Sequence, residues 1–309
     1  MKKTALYYSN IFLEHIVPNG HPENKNRIKF IIKKIKESNF KNLKFKTAKP
    51  ANHDILKLGH TERYINWLSQ LKPAKEIIKI DQDTFMSPKT LEAAKTGVGC
   101  LVDAIDNVLE KKYRNAFCLL RPPGHHAERE KAMGFCFFST IGIGAKYLKK
   151  VRKLHRIAVV DFDVHHGNGT QNVLWNEPNC LFISIHQDNI FPFTGSKKET
   201  GIKDNILNIP VNASSNSNEF RNIVDKIVIP RLIKFEPDFL LISSGFDGHK
   251  DDQISQTQWE ESNFIYITKK LKSVANQFCE DRIVSCLEGG YHLEKLSTCC
   301  VSHLKTLME

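Results

Sequence analysis

Asp163 and His165 stand two residues apart in DFDVHHGNG, directly after the apolar run IAVV. In an extended backbone, side chains at i and i+2 project to the same face, so this carboxylate and imidazole can share one cation. A catalytic zinc needs a third protein ligand and an open position for water or substrate. Asp247, at the end of DFLLISSGFD, is the candidate. A lone Asp there would read as a helix cap or turn residue. Two such segments, each following a buried strand, read as a metal site.

His125 and His126 follow RPPG, whose prolines and glycine set a tight, non-helical loop. Adjacent imidazoles near a metal suit proton transfer, because histidine titrates near working pH. Tyr291 follows Gly289 and Gly290. Glycines let the backbone approach a ligand, and a phenol can donate to a developing oxyanion. Taken alone, GGY is a weak signal.

The elements that position these residues are legible as a pattern. Apolar runs at 4–8, 115–121, 156–163, 180–186, 238–247 and 282–290 read as strands buried on both faces. Helical periodicity falls near 25–38, 61–71, 88–110, 139–150, 219–234, 257–278 and 293–307. The alternation predicts an α/β fold with a mostly parallel sheet between helices. Five central runs end in polar clusters: RPPGHH, DFDVHHGNG, SIH, SSGFDGH and LEGGYH. Ligands of open α/β sheets bind beyond the carboxyl ends of the strands, so the five clusters are expected on one rim.

The chain has 309 residues, enough for a sizeable core, and one domain over 1–309 is expected. No apolar run reaches the roughly 18 residues of a membrane span. Lys2 and Lys3 resemble the start of a signal peptide, but Tyr7, Tyr8, Ser9 and Asn10 interrupt any apolar core, so a cytoplasmic location is expected. The 8 cysteines lie mostly in apolar segments without a C-x-x-C pair, as buried reduced thiols do. A net charge of +11 raises the question of nucleic acid. The basic residues are spread through amphipathic segments such as KNRIKFIIKKIKES, so a solvated lysine face is expected and sequence-specific nucleic-acid binding is not.

RPPGHHA, GFCFF, DFDVHHGNGT, SIH, SSGFDGH and LEGGYH, in this order, resemble the zinc-dependent histone deacetylase superfamily. The nearer branch is the class II-like group with bacterial deacetylase-like amidohydrolases and acetylpolyamine amidohydrolases. The likeness runs from HPENKNR at 21–27 to the C-terminal helix. It implies the arginase/deacetylase fold, one central sheet of about eight strands flanked by helices. It implies a zinc ion on Asp163, His165 and Asp247, acting on the carbonyl and on water. His126 would be the main base and acid, His125 electrostatic, Asp161 the partner of His125, and Tyr291 a donor to the carbonyl. Phe135 and Phe191 would wall a tunnel for an acyl-lysine stem, flanked by Gly134 and Gly289, with Asp83 at the rim. A structural potassium would take Ser184 Oγ and oxygens around Asp161, Asp163, His165 and Ile185.

Several positions depart from the wider pattern. Asn168 stands where class I enzymes carry an Asp, and a neutral partner makes His126 less basic. HPENKNR lacks an entrance-loop proline, and Phe193 replaces a small residue; both bear on entrance shape. The expected function is hydrolysis of an acyl-lysine amide in a peptide or protein, or of a small acylated amine, by a chain that could form homo-oligomers. An acetylpolyamine amidohydrolase is the alternative, but Ile254 occupies the position of its acidic gatekeeper, with Asp251 and Asp252 nearby. A binuclear manganese ureohydrolase wants D-x-H-x-D, and Gly167 stands at the last position. A binding module with weak turnover is disfavoured because Tyr291 is present.

Overall fold

The computed structural model describes residues 3–309. From the N-terminal side the elements are β1 (Thr4–Tyr7), α1 (Asn26–Glu37), β2 (Leu43–Lys46), α2 (His53–Leu56), α3 (Glu62–Gln70), a short ribbon of β3 (Ile78–Lys79) and β4 (Phe85–Met86), and α4 (Thr90–Leu109). There follow β5 (Asn115–Cys118), α5 (Thr140–Lys150), β6 (Ile157–Asp161), α6 (Asn168–Leu174), β7 (Cys180–Gln187) and β8 (Ile206–Val211). The last part holds α7 (Ser217–Ile223), a π-helical turn at Val224–Val228, α8 (Ile229–Phe235), β9 (Phe239–Ser244), α9 (Glu261–Phe278), β10 (Ile283–Leu287) and α10 (Leu293–Met308).

Eight strands form one sheet in the order β2-β1-β5-β10-β9-β6-β7-β8, with every pairing parallel. This is the arginase/deacetylase architecture expected from the sequence. Two layers of core cover the sheet. On one face α1, α9 and α10 bury Ile28, Ile31, Ile35, Ile267, Leu271 and Leu304. On the other, α4 and α5 bury Leu101, Ile105, Ile141 and Leu148. Helix α1 shows why the pattern works. Ile28, Ile31 and Ile35 face inward while Lys29, Lys33 and Lys36 are exposed, and each buried isoleucine contributes about 1.5–3 kcal/mol. The lysine-rich segment is thus a solvated helix face.

The strands that end in polar clusters are β5, β10, β9, β6 and β7, and these are consecutive neighbours in the sheet. Their carboxyl ends make one rim. Strand β6 stops at Asp161, short of the extended run expected to 163. Asp161 Oδ1 accepts the Asp163 N–H at 3.0 Å, and Asp163 Oδ1 accepts the His165 N–H at 2.9 Å. Two successive side-chain turns replace the ladder and curl the chain, so Asp163 and His165 converge through turn geometry rather than strand geometry.

Strands β2 and β8 and helix α6 were not anticipated. Both strands are sheet edges, where half-exposed residues suffice. Among the described residues no helix is long and apolar enough to cross a membrane. All eight cysteines are buried and free.

Candidate active site

The ligand atoms of Asp163, His165 and Asp247 all lie within 4.8 Å of one another. His165 turns Nδ1 toward both carboxylates, 3.2 Å from Asp163 Oδ1 and 3.0 Å from Asp247 Oδ2. Among the described residues, neither carboxylate pairs with a lysine or arginine, although both are fully buried. Burial, then the charge of Asp163, pushes the Asp247 carboxyl up to about 6. A buried cluster of this kind is relieved by a cation, and two carboxylates with one imidazole suit zinc. The outer oxygens are braced by backbone: Gly289 N–H donates to Asp163 Oδ2 at 2.7 Å, and Val164 N–H to Asp247 Oδ1 at 3.1 Å. Any side chain at Gly289 would run into Asp247 Oδ2 and Asp163 Oδ2. A divalent ion fits this donor set.

Beside the tripod the His125 and His126 rings stack with centroids 3.9 Å apart. His125 Nδ1–H donates to Asp161 Oδ2 at 3.0 Å, and its Nε2 is 3.8 Å from Asp163 Oδ1. Burial alone would lower this imidazole, but Asp163 and Asp161 lift it to about 10. With two carboxylates facing one ring, the proton stays on His125. His126 is the opposite case: burial, with His125 and His165 beside it, holds it well below the ordinary value. Its Nδ1–H donates to Asn168 Oδ1 at 2.8 Å, while Asn168 Nδ2 donates to Glu128 Oε1 at 2.7 Å. That chain fixes the tautomer and leaves Nε2 of His126 as a free acceptor.

Tyr291 and His126 share a cavity of about 180 Å³ with His165, Gly134, Phe135, Phe191, Asp83, Ile254 and Pro22. The cavity runs from exposed Pro22 inward to buried His126. The Phe191 ring stands edge-on to His126 at 5.0 Å, and Phe135 edge-on to Tyr291 at 6.0 Å. Gly134 has φ +55°, and a Cβ there would meet His126 Cδ2 at 2.5 Å. Phe135 also adopts a left-handed φ of 67°, held by its N–H donating to Thr84 Oγ1 at 3.0 Å. Burial, reinforced by Asp247 and Asp163, raises the Tyr291 phenol well above its ordinary value, so it keeps its proton. The arrangement offers a cation site, a neutral base, a charged imidazolium and a phenol donor around one narrow slot.

A family profile described as the histone deacetylase domain matches residues 21–307. The chain belongs to the histone deacetylase family. The type-2 histone deacetylase 2 of Dictyostelium discoideum is 36% identical over 99% of this chain, which spans only 21% of that relative. The histone deacetylase-like amidohydrolase of Pseudomonas aeruginosa is 32% identical, over 93% of this chain and 77% of its own. The crystal structure of the HDA15 HD domain superposes with a TM-score of 0.92 at 27% identity, covering 99% of this chain and 88% of that one.

In this family member, Asp161 and Ser184 are register partners on β6 and β7, with Ile185 next along β7. Ser184 Oγ is 2.9 Å from His186 Nδ1. Phe193 does not line the cavity. It is 79% exposed, because its φ of 63° turns it outward onto a separate groove with Lys197 and Lys198, so it does not shape the pocket. Gly167 has no room for a side chain, since a Cβ would meet Asp161 Oδ2.

Four residues escaped the sequence reading. Glu128 orients Asn168. Glu288 accepts the Gly124 and His125 N–H groups at 2.7 and 3.2 Å. Arg27 donates to Gly290 O at 2.6 Å, and Asp252 Oδ2 accepts the Tyr291 N–H at 2.6 Å. Glu288 lies within LEGGYH and Arg27 within HPENKNR, and Asp252 was noted only as an acid near Ile254.

Proposed function

We propose that this deacetylase-family hydrolase removes an acyl group from the ε-amine of an acyl-lysine in a peptide or protein. The observation that carries the reading is the narrow cavity walled by Phe135 and Phe191, which opens onto His126, His165 and Tyr291. An unbranched aliphatic stem fits between two aromatic walls, and the amide it carries then meets the polar groups.

A zinc ion held by Asp163, His165 and Asp247 would supply Lewis acidity at the carbonyl and at the attacking water. Nε2 of His126 takes the proton from that water and returns it to the leaving amine. His125, charged and fixed by Asp161, stabilises negative charge near the tripod. The phenol of Tyr291 donates to the oxygen that gains charge in the transition state. A structural potassium at Asp161, Asp163, His165, Ser184 and Ile185 belongs to the same reading; the pairing of Asp161 with Ser184 across β6 and β7 supports it.

Hydrolysis of a small acylated polyamine is the second reading. It draws on Asp83, the carboxylate among the cavity-lining residues, as partner for a distant ammonium. Zinc-loaded protein assayed on lysine peptides of increasing acyl length, beside N-acetylputrescine, separates the two. Turnover of the peptides with none of N-acetylputrescine is expected, and the reverse result overturns the proposal. A Tyr291→Phe variant as active as the parent would refute the role of the phenol.

A further inference from the structure

We propose that Asp252 is a positioning residue for Tyr291, setting how far the phenol reaches toward the scissile carbonyl; the inference rests on the deacylase reading above. Asp252 is 4% exposed, and its Oδ2 accepts two backbone N–H groups, from Tyr291 at 2.6 Å and from His292 at 3.0 Å. Its own N–H donates to His249 O at 2.7 Å, and its Oδ1 receives the Ile254 N–H at 3.4 Å. The buried carboxylate thus accepts three main-chain N–H groups, two of them short. Its neighbour Asp251 is exposed and pairs with Lys295 at 3.3 Å, so the two adjacent acids face different surroundings.

The need for an anchor follows from the sequence just before Tyr291. Gly289 and Gly290 precede it, and Gly290 has φ +118°, a conformation in which glycine has wide freedom. Arg27 restrains this turn from behind by donating to Gly290 O at 2.6 Å, with its guanidinium 4.9 Å from the centre of the Tyr291 ring. Phe135 limits the ring from the cavity side at 6.0 Å. These contacts confine the ring and the glycine carbonyl. The Tyr291 amide itself is held by Asp252, and charge-assisted acceptance of two amides makes that hold stiff. Asp252 lies two residues before Ile254 of the cavity wall, so one short segment places both the wall and the phenol.

A donor displaced by about 1 Å from the developing oxyanion loses on the order of a hundredfold in rate. Zinc-loaded Asp252→Ala is expected to lose roughly that in kcat with KM close to the parent's. Asp252→Asn, which keeps one acceptor oxygen, is expected to recover part of the loss, with zinc content at the parent's level in both. The deciding measurement is the pair in a Tyr291→Phe background, where loss of Asp252 is expected to cost less than about twofold because the group it positions is gone. An equal fold-loss in both backgrounds overturns the proposal, as does a rise in KM at constant kcat. If Asp252→Ala does not fold, the same cycle with Asp252→Asn decides. Tyr291→Phe turning over like the parent would strike the deacylase reading itself and remove the premise here, a failure distinct from the other two.

Discussion

Glu128 Oε1 lies 2.7 Å from the amide nitrogen of Asn168, and this contact decides which end of that amide faces His126. An amide can present its oxygen or its nitrogen, and the carboxylate takes the nitrogen. The oxygen is left 2.8 Å from His126 Nδ1, so the acceptor facing this imidazole is neutral. Asn168→Asp together with Glu128→Gln, which removes the opposing carboxylate, puts a negative charge against His126. The imidazole becomes more basic, so a higher pH is needed to keep it neutral as a base. The acidic limb of the kcat/KM profile is expected to move up by roughly one unit. An unmoved limb would remove His126 from the role of titrating base.

Gly289→Ala is a steric test of the tripod. The added Cβ meets the carboxylates of Asp247 and Asp163, and the Gly289 N–H that braces Asp163 at 2.7 Å must shift. Bound zinc per chain is expected to fall well below that of the parent while the far-ultraviolet circular dichroism stays unchanged. Full zinc occupancy in the variant would show that the tripod does not need this close approach.

Chelation and reloading test the same centre through stability. A ligand that binds only the folded state stabilises it by about 2.7 kcal/mol at a hundred times its Kd. Adding zinc to the chelated parent is therefore expected to raise Tm, and Asp163→Asn is expected to abolish most of the rise. An equal rise in both proteins would place the ion elsewhere.

Glu23 ties two fully buried arginines, with Oε1 3.1 Å from Arg27 Nη1 and 2.9 Å from Arg121 Nε. Burial alone would raise its carboxyl, but Arg121 and Arg27 outweigh burial and bring it from 4.5 to about 2. The folded value lies below the unfolded one. The stability it contributes is present above pH 4.5 and is lost as pH falls toward 2. Glu23→Gln is expected to cost about 3–5 kcal/mol at pH 7, because the guanidinium groups lose their buried counter-charge. Urea unfolding at pH 7 and pH 3 checks this. The difference between parent and variant should shrink at the lower pH, and an equal difference at both would contradict the ion-pair account.

The sequence exposed the parts of the molecule whose physics leaves a pattern. Strands β5, β6, β7, β9 and β10 are buried on both faces and read as continuous apolar runs. Strand β8 sits at an edge, and Asn208 and Pro210 interrupt its apolar run, so no strand was expected there. The tripod, the histidine pair and Tyr291 stood out as polar clusters at strand ends. Glu128 and Asp252 did not, because a carboxylate that accepts from an amide at long sequence separation leaves no spacing to find. Phe193, expected to bear on entrance shape because it replaces a small residue, lies outside the cavity lining. Its backbone turn, which sends the ring to solvent, is invisible in residue types.

Strand β10 is the last strand in the chain, yet it lies between β5 and β9 in the middle of the sheet. Without β10 the sheet has a gap between β5 and β9 at its centre. Until β10 fills that gap, Gly289 cannot brace Asp163 across a separation of 126 residues, and Tyr291 has no place to stand. Contacts of such long range close slowly. A chain that stops before β10 would carry Asp163, His165 and Asp247 without the Gly289 brace and the Tyr291 donor that complete the slot.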